Sequence, residues 1–279
     1  MPRPVLTEFA HRGFLAPIPL FPAATLAQLW EAQVAPLQPH GKQRFKTHLL
    51  VPELNELVRA PQMLAVVQAA LQTEDLLVWS SDWCIKTPHS RGYFSWHQDS
   101  TYAGMSSPQH VLTVWLAFSP STLASGCVRT VPHSHRWGQL PHKTQHDDDN
   151  LLSRAQYIHA WDTALDFSAQ AQPLELQPGE ASLHAFRTVH ASGPNTTSQP
   201  RIGFAIRYCS VHVQREARVQ TRESALLVSG EIPSTCAFDL EAPPQQYNGP
   251  AERAQWEKAI ARENANYFAD NPLRDTYHH

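Results

Sequence analysis

The run Ile202-Gly203-Phe204-Ala205-Ile206-Arg207-Tyr208-Cys209-Ser210-Val211 alternates bulky side chains at Ile202, Phe204, Ile206 and Tyr208 with small or charged ones at Gly203, Ala205 and Arg207. A period of two marks a strand with one face on a core. Outward from it, short apolar or alternating runs recur at 76–79, 83–86, 93–97, 111–118 and 180–190, separated by Gly, Pro and Ser. Many short strands punctuated by turn residues predict a mainly β fold with flanking helices, a cupin-like jelly roll or double-stranded β-helix. Helices are predicted at 24–37 and at 61–71, where Pro61 suits a first helical turn. A terminal helix is predicted at 251–268, with Trp256, Ile260 and Tyr267 available for packing.

These elements fit one domain over residues 1–279. A helical region (about 1–75) leads into a jelly-roll core (about 76–215) and then a loop and helix (about 216–279). The polar stretch 138–171 interrupts the core and reads as a lid. Within it, 150–157 is expected to be helical, capped by Asp149 or Asn150.

Composition excludes several functions. With 42% hydrophobic and 17% charged residues the chain can bury a core. A net charge of −3 gives no general attraction to nucleic acid or to an anionic membrane. The first residues, broken by Pro2 and Pro4, do not form a signal-peptide core, and no long apolar span follows, so a cytoplasmic protein acting on a small molecule is expected. Cys84, Cys127, Cys209 and Cys236 are widely spaced and read as reduced core thiols. Lys42, Arg44 and Lys46 form the one local basic cluster, expected to be solvated surface.

Sixteen histidines draw attention to metal chemistry. In Ser95-Trp96-His97-Gln98-Asp99, strand alternation would project His97 and Asp99 to one face. Two histidines and one carboxylate on one side of an octahedral iron leave three positions for a chelating cosubstrate and dioxygen. His184 and His190 share parity and compete for the third position; six residues of unbroken strand span about 20 Å, so both cannot reach one ion. A second His-x-Asp triplet, His146-Asp147-Asp148, lies in an acidic segment and reads as solvated lid surface. Arg201 presents a donor fork suited to a carboxylate. The turn residues Gly193-Pro194-Asn195 and Gln199-Pro200 predict a hairpin placing His190 and Arg201 on adjacent strands, with Gly203 and Ala205 leaving room beside Arg201. Arg207 shares that face and needs a partner that the sequence does not identify.

The segments Trp96-His97-Gln98-Asp99-Ser100-Thr101-Tyr102, Val111-Leu112-Thr113-Val114-Trp115-Leu116-Ala117 and Ser125-Gly126-Cys127-Val128-Arg129-Thr130-Val131-Pro132-His133-Ser134-His135 occur in that order. Pro178-Gly179-Glu180, His190-Ala191-Ser192-Gly193-Pro194-Asn195 and Pro200-Arg201-Ile202-Gly203-Phe204-Ala205-Ile206-Arg207-Tyr208 follow. Together they resemble the phytanoyl-CoA dioxygenase family across most of residues 76–211. The resemblance implies an enzyme using Fe(II), 2-oxoglutarate and O2, with His97, Asp99 and His190 as iron ligands. It also implies Arg201 as the partner of the distal carboxylate of 2-oxoglutarate. Trp115 and Ser192 match positions lining the cosubstrate, although an apolar filler and a turn-stabilising serine explain them about equally well. Two departures stand out: His133 follows Pro132 where glycine is usual, and Ala103 follows Tyr102 where many relatives carry an aromatic residue.

The expected activity is oxidation, most simply hydroxylation, of a C–H bond in a small metabolite, with release of succinate and CO2. An acyl-CoA hydroxylase and a non-catalytic ligand-binding protein on the same fold are the alternatives. A zinc hydrolase built on the same ligands gives Arg201 no role.

Overall fold

The computed structural model describes residues 3–159 and 166–269. The N-terminal region holds α1 (Arg3–Arg12), β1 (Phe14–Pro19), α2 (Ala23–Leu29), α3 (Pro52–Val58) and α4 (Pro61–Leu71). The helical path of α2 continues through a π turn to a 3-10 turn ending at Leu37, in line with the expected 24–37 helix. The core strands are β2 (Leu76–Lys86), β3 (Phe94–His97), β4 (Val111–Ala117) and β5 (Val128–Thr130). Next come β6 (His142–Thr144), β7 (Gln156–Ile158), α5 (Phe167–Gln170), β8 (Gln172–Leu174), β9 (Glu180–Ala185), β10 (His190–Ser192) and β11 (Arg201–Ser210). The chain continues through β12 (Ser224–Ser229) and β13 (Asp239–Glu241) to α6 (Pro250–Tyr267).

Seven strands form one sheet in the order β1-β9-β4-β11-β2-β12-β13, and a second sheet runs β3-β10-β5-β8. Two sheets of crossed-over strands, antiparallel except for the β12–β13 pair, make the expected double-stranded β-helix. Alternation divides β11 cleanly. Ile202, Phe204, Ile206 and Tyr208 join Leu54, Val58, Met63, Val67 and Ile260 in the main apolar core beneath the helices. Each such buried side chain contributes about 1.5–3 kcal/mol. The opposite face carries Arg201, Ala205 and Arg207, which line an internal cavity. α6 closes one end of that cavity with Glu263 and Tyr267, four residues apart on one helical face.

Four expectations give way. The 150–157 stretch is not helical: Ala155 takes a positive φ of 46°, and Gln156–Ile158 pairs with β6 as a hairpin. The side chains organise turns instead of capping a helix: Asp147 accepts from the Asp149 amide at 2.9 Å and Asn150 from the Leu152 amide at 3.2 Å. The 180–190 run is broken, β9 lying in one sheet and β10 in the other. For the same reason His190 and Arg201 do not share a hairpin; the chain crosses between sheets through residues 193–200. The basic cluster is not solvated either. Only Lys42 is exposed, because the tight 41–44 turn and the left-handed Lys46 (φ 48°) point the other two cations inward. Arg44 meets Asp82 at 3.3 Å and Lys46 meets Glu241 at 2.5 Å, so each buried charge is compensated.

The four cysteines are buried free thiols. Among the described residues no helix is long and apolar enough to cross a membrane.

Candidate metal centre

His97 at the end of β3 and His190 at the start of β10 are direct cross-strand partners, which brings their ring centroids to 4.1 Å. Asp99 lies just beyond β3, in a turn rather than on the strand, so tertiary packing and not alternation alone aims it inward. Its Oδ1 is 3.6 Å from His97 Nε2 and 3.7 Å from His190 Nε2. One donor atom from each of the three side chains falls within 4.8 Å of the others. Each imidazole is oriented from behind. His97 Nδ1 donates to the Ser95 carbonyl at 2.7 Å and His190 Nδ1 to the Thr188 carbonyl at 2.9 Å. A carbonyl can only accept, so these bonds fix the proton on Nδ1 and leave each Nε2 lone pair for a cation.

Electrostatics point the same way. Burial, reinforced by the neighbouring His97, lowers His190 to about 3, keeping it neutral and able to ligate. Burial alone would raise the Asp99 carboxyl, but the Arg207 guanidinium and the two imidazoles outweigh it and hold it well below the usual carboxylate range. An ionised carboxylate and two imidazole nitrogens suit Fe(II).

Gln98, whose side chain faces away from the triad, donates to the carbonyls of Gly138 and Arg187 at 2.8 Å each and accepts from the Leu140 amide at 2.8 Å. It ties the ligand turn to the polar insertion and to the segment before His190. His184 lies outside the triad: its Nε2 is bonded to Ser182 Oγ at 2.9 Å, and burial lowers it to about 4. The break after β9 nonetheless brings its ring within 5.4 Å of His190, nearer than an unbroken strand would allow. His146 pairs with Asp148 at the exposed surface.

Arg201 opens β11 at the far end of the cavity, fully buried. Its Nε and Nη2 have no hydrogen-bond partner among the described residues. Unmet buried donors cost about 1–3 kcal/mol each or more when charged, so the site is built for an anion. Burial lowers Arg201 to about 10, which leaves it protonated at neutral pH. Trp115 packs its ring 5.2 Å from the guanidinium carbon. The room beside Gly203 belongs to this indole: a Cβ there would lie 1.9 Å from Trp115 Cζ2. Gly203→Ala should therefore cost about 1–3 kcal/mol by overpacking. A chemical-denaturation midpoint unchanged from wild type would disprove that contact.

The sequence reading passed over Lys86. It is the cross-strand partner of Arg201 and donates to Ser192 Oγ and the Gly193 carbonyl. Burial, then the charge of Arg201, lowers its amine to about 6. A lysine sharing the parity of Cys84 at the end of the run Trp83-Cys84-Ile85 was the available signal. Ser192 also donates to the Gly126 carbonyl at 2.9 Å. The missing partner of Arg207 is Asp82, whose Oδ1 accepts from Nη1 at 2.6 Å. His133 adopts φ 66°, which accounts for the glycine usual there, and Ala103 lines the cavity.

A double-stranded β-helix that gathers a His-Asp-His triad and a buried arginine into one cavity defines the class of Fe(II)- and 2-oxoglutarate-dependent oxygenases. Residues 23–203 match the sequence model of the phytanoyl-CoA dioxygenase (PhyH) family, and the chain belongs to that family. It is 30% identical over 112 residues to a phytanoyl-CoA dioxygenase domain-containing protein 1 homolog from Dictyostelium discoideum, covering 40% of this chain and 39% of that one. The chain spans between about a third and just over half the length of the curated relatives it matches. Among solved structures it is similar to the non-heme monooxygenase ThoJ, with a TM-score of 0.82 and 30% identity over 97% of this chain and 100% of that one. It is also similar to EvdO2 of Micromonospora carbonacea var. aurantiaca complexed with 2-oxoglutarate, with a TM-score of 0.59 and 25% identity over 78% and 94% of the two chains.

Proposed function

We propose that this protein is a dioxygenase that oxidises a C–H bond of a small polar metabolite, most simply by hydroxylation, while 2-oxoglutarate is converted to succinate and CO2. In this reading His97, Asp99 and His190 hold Fe(II). Arg201 grips the distal carboxylate of 2-oxoglutarate, with Lys86 and Ser192 beside it and Trp115 as the wall. The carrying observation is the pair of unsatisfied donors on Arg201, buried in the same cavity as the triad. Iron with its chelated 2-oxo acid supplies the oxidising power by activating dioxygen. The chain itself binds, orients and excludes bulk water.

The walls speak to the substrate. Arg44, Asp82, Arg207, Gln156 and Glu263 stand among the walls of the cavity that also contains the triad and Arg201, beside apolar Phe45, Trp79 and Leu152. Burial pushes the Glu263 carboxyl up to about 7, so the wall itself can donate or accept a hydrogen bond near neutral pH. A fatty-acyl thioester needs a long apolar channel and exposed cations for its phosphates. Arg44 and Lys46, two of the three cations in the local basic cluster, are instead committed to buried carboxylates. A compact polar molecule fits better than an acyl-CoA. Screening polar metabolites against acyl-CoA esters for stimulated succinate release tests the preference; stimulation by the thioesters alone would reverse it.

The oxygen outcome is also specific. Asp99 occupies the position that a halide would need on the metal, so halogen transfer is not expected. Turnover in excess chloride or bromide under labelled dioxygen should give oxygenated product without halogen, as read by mass spectrometry. A halogenated product from the wild-type protein would refute this.

A further inference from the structure

We propose that Thr113 and Arg207 form a clamp on the Asp99 carboxylate that limits it to one metal-binding oxygen and so keeps a coordination position open for dioxygen. This rests on the iron site proposed above. Thr113 Oγ1 donates to Asp99 Oδ2 at 2.6 Å. The other oxygen, Oδ1, is the one facing both imidazole Nε2 atoms, at 3.6 and 3.7 Å. Arg207 Nη2 stands 3.8 Å from Oδ1. The two carboxylate oxygens are thus assigned different tasks by groups of the protein itself.

The sheet makes the clamp rigid. His184, Thr113, Arg207 and Ser80 form one cross-strand row over β9, β4, β11 and β2. Thr113 is buried, and its β-branched side chain has few rotamers in a strand. Arg207 is anchored through Nη1 to Asp82 at 2.6 Å, and Asp82 is held in turn by Arg44 at 3.3 Å. A chain of charges therefore runs from the N-terminal region to the metal ligand.

Coordination counting shows what the clamp does. Three protein donors and a chelating 2-oxo acid occupy five of six octahedral positions, leaving one. Carboxylates bind metals through either one oxygen or both. Were Asp99 free to roll, its second oxygen could take the sixth position. The Thr113 hydroxyl engages that oxygen and holds the carboxylate plane, making Thr113 a positioning residue.

The test compares wild type, Thr113→Val and Thr113→Ser by anaerobic titration with Co(II), an oxygen-stable substitute whose visible absorption follows coordination number. Valine keeps the shape and removes the hydroxyl; serine keeps the hydroxyl. Loss of a hydrogen bond behind a ligand weakens metal binding about 10–100-fold, so the valine variant should bind Co(II) that much more weakly with an altered spectrum. Serine should restore both. Thermal midpoints of the same samples identify a fold defect, which would affect stability without rescue of the metal spectrum by serine. Wild-type affinity and spectrum in Thr113→Val would overturn the clamp. Failure of wild type itself to bind Co(II) would instead overturn the metal site on which the clamp depends.

Discussion

His190→Ala should abolish iron binding and turnover, whereas His184→Ala should retain the metal. His190 Nε2 faces Asp99 Oδ1 at 3.7 Å with its Nδ1 held by the Thr188 carbonyl, while His184 spends its Nε2 on Ser182. Removing one of three protein donors both weakens the metal and disorders the chelated cosubstrate. His97→Ala and Asp99→Ala should behave like His190→Ala. Metal content after desalting, together with succinate release, measures the contrast. Because the two rings lie only 5.4 Å apart, the comparison is a real one. Iron retained by His190→Ala and lost from His184→Ala would place the third ligand on the wrong strand.

Arg201→Ala should raise the apparent KM for 2-oxoglutarate by about one to several orders of magnitude while leaving iron in place. Hydrogen bonds to charged groups contribute about 1.5–3 kcal/mol each, and about 1.4 kcal/mol corresponds to a factor of ten. A fork offering two such bonds therefore accounts for the range. Arg201 lies apart from the triad donors, at the opposite end of the inward face of β11 from Arg207, so the metal should not sense its loss directly. Unaltered 2-oxoglutarate saturation in the variant would remove the main physical argument for that cosubstrate. Unequal effects on KM and kcat would separate lost binding from lost orientation.

The sequence disclosed what depends on local periodicity. Alternation in 202–211 separated the core face from the cavity face before any contact was known, and the structure gathers His97, Asp99, His190 and Arg201 around one cavity. Pairings between distant segments were hidden. Asp82 could not be matched to Arg207, nor Thr113 to Asp99, because the register of β4, β11 and β2 is a property of the whole sheet. The same limit explains the error over Arg44 and Lys46: alternating with the exposed Lys42, they look solvated until their buried carboxylates come from residues 82 and 241. The supposed 150–157 helix failed for a different reason. Its composition permits a helix, but Tyr93 donates to Asp147 at 2.6 Å and β7 pairs with β6, contacts that outweigh weak propensity. The hairpin expected between His190 and Arg201 had suitable turn residues, yet in this topology they serve a crossing between sheets.

The most direct test of the central claim is an anaerobic titration of 2-oxoglutarate into the Fe(II)-loaded protein, followed by visible absorption. If the triad holds iron and Arg201 holds the distal carboxylate, a charge-transfer band from the chelated 2-oxo acid should grow to one equivalent. It should be absent without iron and in His190→Ala, and shifted to much higher 2-oxoglutarate concentration in Arg201→Ala. No band in the iron-loaded wild type, or equally tight 2-oxoglutarate binding with and without metal, would contradict the account.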